Sequence, residues 1–408
     1  MFSKNFSVKE KVLLALYSIV FLGLFLYSFT QVDLGLTFSR NAFLRDIVSA
    51  FQHIGYFERV LSSQLFVTIV LALTTLYCSS LFLATRKKIH KKFVWTVILA
   101  ATVILTFSYN AFSYDLFNYI FDAKIITHYQ SNPYLHKALD YPADPMLSFM
   151  HWTHRVYPYG PVWLGLTVPL SFIGLQIFFL TFFLFKLLMT ACFIGTVWAV
   201  GKILQKLSPE RELFGLIFFG LNPLVLIESL VSAHIDVVMM FFAVFAFYLL
   251  LSQKYFNSYV FLALSIGTKF LTGVLLPVFT FIHIMQRKKK NYSWEQVLHI
   301  TVILLLLGVI LESHQSGNFQ PWYLLAPLSF AVLIANRYWI IIPTIIISTI
   351  SLFIYVPYLY LGNYDPPVPE ILSQIIIMSM SSAFCVTSLY FLYRQILVFK
   401  AKKQYKRS

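Results

Sequence analysis

The chain has 408 residues, 59% of them hydrophobic and 12% charged, with a mean hydropathy of +0.75. That balance excludes a water-soluble globular enzyme, and at about 20 residues per apolar helix it leaves room for ten or more membrane crossings. The net charge of +15 raises nucleic-acid binding, which the placement of the charges argues against.

Unbroken apolar runs at 12–29, 93–112 and 175–200 lack the alternation of barrel strands. A backbone in lipid must satisfy its own polar groups, so these runs read as helices of one all-α, polytopic integral membrane unit over 1–408. The first run carries no small-residue cleavage motif and reads as a retained anchor. Cys78, Cys192 and Cys385 lie singly in apolar runs, without the spacing of a disulfide framework or a thiolate metal site. The stretch 162–200 would measure about 58 Å as one helix at 1.5 Å per residue, so Pro169 and Gly174 are expected to divide it. The run 259–284 begins and ends on one side and is expected to form two short helices with Lys269 at their tip. Lys186 is expected to snorkel toward the interface. About twelve transmembrane helices result.

With the amino terminus inside, the inner segments hold 23 of the 31 Lys and Arg but only 4 acids, and the outer segments hold 6 basic residues and 12 acids. By the positive-inside rule this places both termini in the cytoplasm. The basicity is then an orientation signal with attraction to anionic head groups, and the partners are a membrane and its solutes rather than nucleic acid. Seven of the ten histidines also fall outside, so acid–base chemistry is concentrated extracytoplasmically, above all in the outer loop 113–161.

If the helix before that loop continues past the membrane surface, Asp115, Asn118, Tyr119 and Asp122 share one face, and the helix should stop at Asn132-Pro133. Asp115, three residues beyond an apolar run, suits a partly desolvated general base; the alternative is a cap or an ion-pair partner of Lys124 or Arg155. His151 and His154 have helical metal-ligand spacing but no adjacent acidic ligand, and Tyr159 lies in a Pro- and Gly-punctuated aromatic stretch that also suits an interfacial belt. Glu228, His234 and Asp236 form an ionisable cluster between apolar helices, a functional feature by default in lipid. His234 and Asp236 fit either a metal pair or a sugar-binding pair. Lys269 could meet a lipid-linked phosphate. Trp322 and Tyr323, after Glu312, could stack on a sugar ring or anchor a helix.

In order along the chain, Asp-x-x-x-Tyr at 115–119, Asn-Pro-Tyr at 132–134, Tyr-Gly-Pro-Val-Trp at 159–163, Asn-Pro-Leu at 222–224, Ser-Ala-His-x-Asp at 232–236, the embedded Lys269 and Pro-Trp-Tyr at 321–323 resemble the GT-C superfamily of membrane glycosyltransferases. Within it they resemble especially the bacterial polyprenyl-phosphomannose-dependent mannosyltransferases, which implies a bacterial plasma membrane. It further implies transfer of mannose or another hexose from a polyprenyl-phosphate donor to a hydroxyl of a glycan, glycolipid or protein, with inversion. Asp115 takes the role of catalytic base; Tyr119, Asp122, Arg155, Tyr159, Glu228, His234, Asp236, Lys269, Trp322 and Tyr323 are the expected substrate-binding set, with Arg155, Lys269 and His234 facing the departing phosphate. No cofactor is expected; a divalent metal, used by some relatives, is not favoured here, because no acidic cluster lies beyond Asp115 and Asp122. Isoleucine in the middle of His234-Ile235-Asp236 and two spans ahead of the catalytic one depart from the pattern. A secondary transporter or lipid flippase is the alternative: broken helices and a buried lysine fit it, but the acids gather at one face and no paired halves are evident.

Overall fold

The computed structural model describes residues 6–37 and 41–405, with backbone alone from 398 onward. Among the described residues the regular structure is helical, joined by irregular connections, with one isolated bridge between Lys137 and Val156. Seven helices are long and apolar enough to cross a membrane: Val8–Gln31, Arg59–Thr85, Phe178–Leu207, Phe270–Arg287, Trp294–Ser316, Tyr338–Leu361 and Val368–Leu397. An eighth span arises if Pro209–Gly220 and Pro223–Val231, bent by 56° at their break, count as one. The chain is therefore a polytopic membrane protein. The figure of about twelve also counts shorter apolar stretches such as Asp236–Leu251 and Pro321–Ile334, which at about 24 Å or less fall short of the ~30 Å hydrocarbon layer.

The long apolar stretch divides as its length requires. Pro161–Ile173 ends at the C-cap Gly174, and Phe178–Leu207 begins four residues later. Pro169 lies inside the first piece rather than at the break. Lys269, extended at φ −152° and ψ 130°, separates the Tyr255–Thr268 helix from the 3-10 turn Phe270–Leu275 and the Leu276–Arg287 helix, as the hairpin reading anticipates.

Three expectations are corrected. The helix Lys91–Thr106 does not run on through Asp115: it ends, and a new helix Asp115–Thr127 begins. Local side chains compete for the backbone there, since Ser108 Oγ donates to Leu105 O at 2.6 Å and the Asp115 N–H donates to Ser113 Oγ at 3.1 Å. The new helix also stops at Thr127, five residues before Asn132. Lys186 does not snorkel, because it is 1% exposed and its ammonium is held by backbone oxygens and Ser108.

Residues 215–240 are buried without interruption, so the Glu228–Asp236 segment runs through the packed interior rather than over a solvated hairpin. One close approach fixes the 113–161 loop against the Lys269 break. The Gly160 N–H donates to Thr268 O at 3.2 Å, and a Cβ on Gly160 would lie 2.1 Å from Gly267 O. Only glycine allows the two backbones that near.

Candidate active site

On the Asp115–Thr127 helix, Asp115, Asn118, Tyr119 and Asp122 do share one face, as their spacing requires. Lys124 lies on the other face and pairs with Asp144 at 2.5 Å, so it is not the partner of Asp115. Tyr119 packs edge-on against Tyr159 and Trp163, with ring centroids 5.4 and 5.3 Å away, and hydrogen-bonds the Tyr159 hydroxyl.

The second wall is an irregular segment with a legible origin. Asn222 accepts from the Leu224 N–H at 3.0 Å and Pro223 opens a four-residue helix. The backbone then widens into a π-turn at Ile227–Val231 and passes Ala233 at φ +57° before the Asp236–Leu251 helix starts. Such turns and left-handed residues gather at functional sites. They bring Glu228, His234 and Asp236 inward, all fully buried.

Glu228 Oε1 accepts from the Tyr355 hydroxyl at 2.9 Å, and Oε2 lies 3.0 Å from His234 Nδ1. The other ring nitrogen, Nε2, is 3.9 Å from Asp115 Oδ2, beyond direct hydrogen-bond reach. Trp322 stacks on the ring at 3.8 Å and 18°. The Glu228 contact is an ion-pair approach rather than an aligned hydrogen bond, since neither His234 nitrogen has a directed partner. Asn118 Oδ1, Asp236 Oδ2 and Glu312 Oε2 are likewise buried without one.

Lys269 Nζ sits 2.8 Å from Asp236 Oδ1 and 2.5 Å from Glu312 Oε1, and 4.8 Å over the Tyr323 ring. Its charge is thus balanced twice over within the protein. Arg155 is different: exposed, with its guanidinium 4.4 Å over Trp152, it forms no ion pair among the described residues while its field reaches both Asp115 and Asp122. Burial raises the Asp115 carboxyl above its ordinary range, with His234, Arg155 and Lys269 opposing and Asp236 adding to the rise. Burial pushes Asp122 up to about 8, with Arg155 opposing, so Asp122 holds its proton at neutral pH.

The expected residues divide accordingly. Asp115, Glu228, His234 and Trp322 form one connected line; Asp236, Lys269 and Tyr323 form a second beside it. Tyr119 and Tyr159 pack edge-on beside them, and Arg155 acts through its field on both Asp115 and Asp122. His151 lies outside any helix and stacks on Tyr114 at 3.7 Å, so the helical His151/His154 pair is absent. Among the described residues no group of three or more His, Cys, Asp or Glu side chains is placed to hold a metal. Two members escaped the sequence reading of the site: Glu312, visible only as an acid at the end of an apolar run, and Tyr355, one tyrosine among 25 with no local signal.

The Asp115 side chain, 16% exposed, thus faces the fully buried His234 ring within a polytopic helical protein. The family model for alpha-(1->6)-mannopyranosyltransferase, N-terminal domain, matches residues 19–285, and the chain belongs to that MptA_B family. It is accordingly a membrane glycosyltransferase of a mannosyltransferase family, with a sugar donor and a glycan acceptor. No curated protein and no solved structure matches the chain. The matched region holds every expected site residue from Asp115 to Lys269; Glu312, Trp322, Tyr323 and Tyr355 come from beyond it.

Proposed function

We propose that the chain transfers mannose, or a closely related hexose, from a polyprenyl-phosphate donor to a hydroxyl of a glycan, glycolipid or protein on the extracytoplasmic side, with inversion. The observation that carries this reading is the Asp115–His234–Glu228 line. An acceptor oxygen at about 2.8 Å from both Asp115 Oδ2 and His234 Nε2 fits over their 3.9 Å edge. That oxygen attacks the anomeric carbon and its proton passes to Asp115. The glycosidic bond forms as the bond from the anomeric carbon to the phosphate oxygen breaks, and polyprenyl phosphate leaves from the opposite face.

Glu228, held by Tyr355, orients the His234 ring, while Trp322 fixes the ring plane. Arg155 is the cation free to meet the departing phosphate. Lys269 acts mainly by holding Asp236 and Glu312, whose second oxygens are unpartnered and suit sugar hydroxyls. Asp122, protonated, offers a hydrogen bond to the substrate. The donor set argues for transfer without a metal, because Glu228, Asp236 and Glu312 are each engaged by a cation or ring.

The donor is tested with purified protein in liposomes, offered radiolabelled mannose either on polyprenyl phosphate or on a nucleoside diphosphate. Product from the lipid-linked sugar alone is expected; direct use of the nucleotide sugar would overturn the reading.

A further inference from the structure

Lys186 sits in the first third of the Phe178–Leu207 helix, 1% exposed. No carboxylate is among its partners. Its ammonium donates to the backbone oxygen of Leu230 at short range, to that of Val231 at 3.0 Å and to Ser108 Oγ at 3.2 Å. Leu230 and Val231 close the π-turn that carries Glu228 and leads to His234, and helix-end carbonyls there bear partial negative charge. Ser108 opens the irregular 107–114 connection that ends at Asp115. One side chain therefore fastens, from behind, the two backbone segments that deliver the facing carboxylate and imidazole. Its amine meets three acceptors, and a polar side chain buried this deeply is costly unless so satisfied, an arrangement that plain packing would not require.

We propose that Lys186 is a positioning residue that holds Asp115 and His234 in register by tying the 227–231 turn to the 107–114 connection. The inference rests on the reading of Asp115 as the base. Without the tie the turn shifts, His234 leaves Asp115, and the carboxylate loses the strongest of its opposing charges. The groups facing Asp115 are then Arg155, Lys269 and Asp236, with Tyr119, Tyr159 and Tyr355 around it.

The test compares wild type, K186M, K186R and the milder S108A for kcat, donor KM, the acid limb of the pH–rate profile and thermal stability, with D115N alongside. A misplacement of about 1 Å predicts a kcat loss of about 100-fold in K186M, with donor KM within about threefold and the acid limb moved to higher pH. K186R should recover about a tenth of wild-type turnover or more, and S108A should shift kcat and the limb in the same direction by less. The proposal is overturned if K186M keeps wild-type kcat and limb. It is equally overturned if the folded fraction of K186M and S108A turns over normally, leaving only a structural loss. If D115N stays active, the base reading itself fails and this inference fails with it; normal K186M turnover beside an inactive D115N defeats the positioning role alone.

Discussion

Replacing Lys269 with methionine removes the cation from between two buried carboxylates. Nζ lies 2.8 Å from Asp236 Oδ1 and 2.5 Å from Glu312 Oε1, and the two acidic side chains are 1% and 19% exposed. K269M strands both charges, whereas D236N strands none, because the Lys269–Glu312 pair survives. Removing one partner of a buried pair costs about 3–5 kcal/mol, while losing one charged hydrogen bond with the pair otherwise intact costs about 1.5–3 kcal/mol. The triple variant K269M/D236N/E312Q leaves no charge behind and should regain most of the K269M loss, since a neutral replacement of a whole buried ion cluster is often tolerated. Reversible unfolding in mixed detergent and SDS, fitted by linear extrapolation, measures all three. If K269M is no more costly than D236N, or the triple variant is the least stable, the electrostatic account of the Lys269 break is wrong.

Asp122 holds its proton in the folded chain up to about pH 8, while an unfolded chain releases it near 3.9. Stability should therefore fall as pH rises between about 4 and about 8; D122N, which mimics the neutral acid, should flatten that slope and keep turnover at pH 7, and a D122N enzyme inactive at pH 7 would contradict it. Burial raises Asp115 and a base works only when ionised, so activity should decline on acidification at a pH above the usual carboxylate range. R155Q removes an opposing charge and should move that limb higher still; an unmoved limb would contradict the assignment. G160A drives a Cβ to 2.1 Å from Gly267 O, which should cost about 1–3 kcal/mol and cut turnover by displacing Tyr159, measurable together in unfolding and transfer assays.

Much of this architecture was legible in the chain because lipid imposes strict rules. Hydropathy and length marked the helical spans, the break before Phe178 and the hairpin with Lys269 at its tip, since each follows from how far a helix reaches across hydrocarbon. The shared face of Asp115, Asn118, Tyr119 and Asp122 followed from periodicity alone. The helix start at Asp115 did not, because it depends on Ser108 and Ser113 capturing backbone groups in a run that hydropathy shows as continuous. Lys186 was misread for a related reason: a lysine in an apolar run looks the same whether it reaches water or buried carbonyls, and only the fold places Leu230 and Val231 beside it. Glu312 and Tyr355 join the site across 76 and 127 residues from Asp236 and Glu228, distances at which a single sequence carries no pairing signal.

The central claim is that the Asp115 carboxylate takes the proton of the attacking hydroxyl. Aspartate to asparagine at 115 preserves shape and polarity and removes only basicity, so single-turnover sugar transfer by purified D115N, with donor binding measured beside it, isolates that role. Turnover should fall by about 10²–10⁴-fold with donor affinity and thermal stability unchanged. A D115N protein that transfers sugar within about tenfold of wild type would contradict the account, since general-base catalysis contributes at least about 10²-fold.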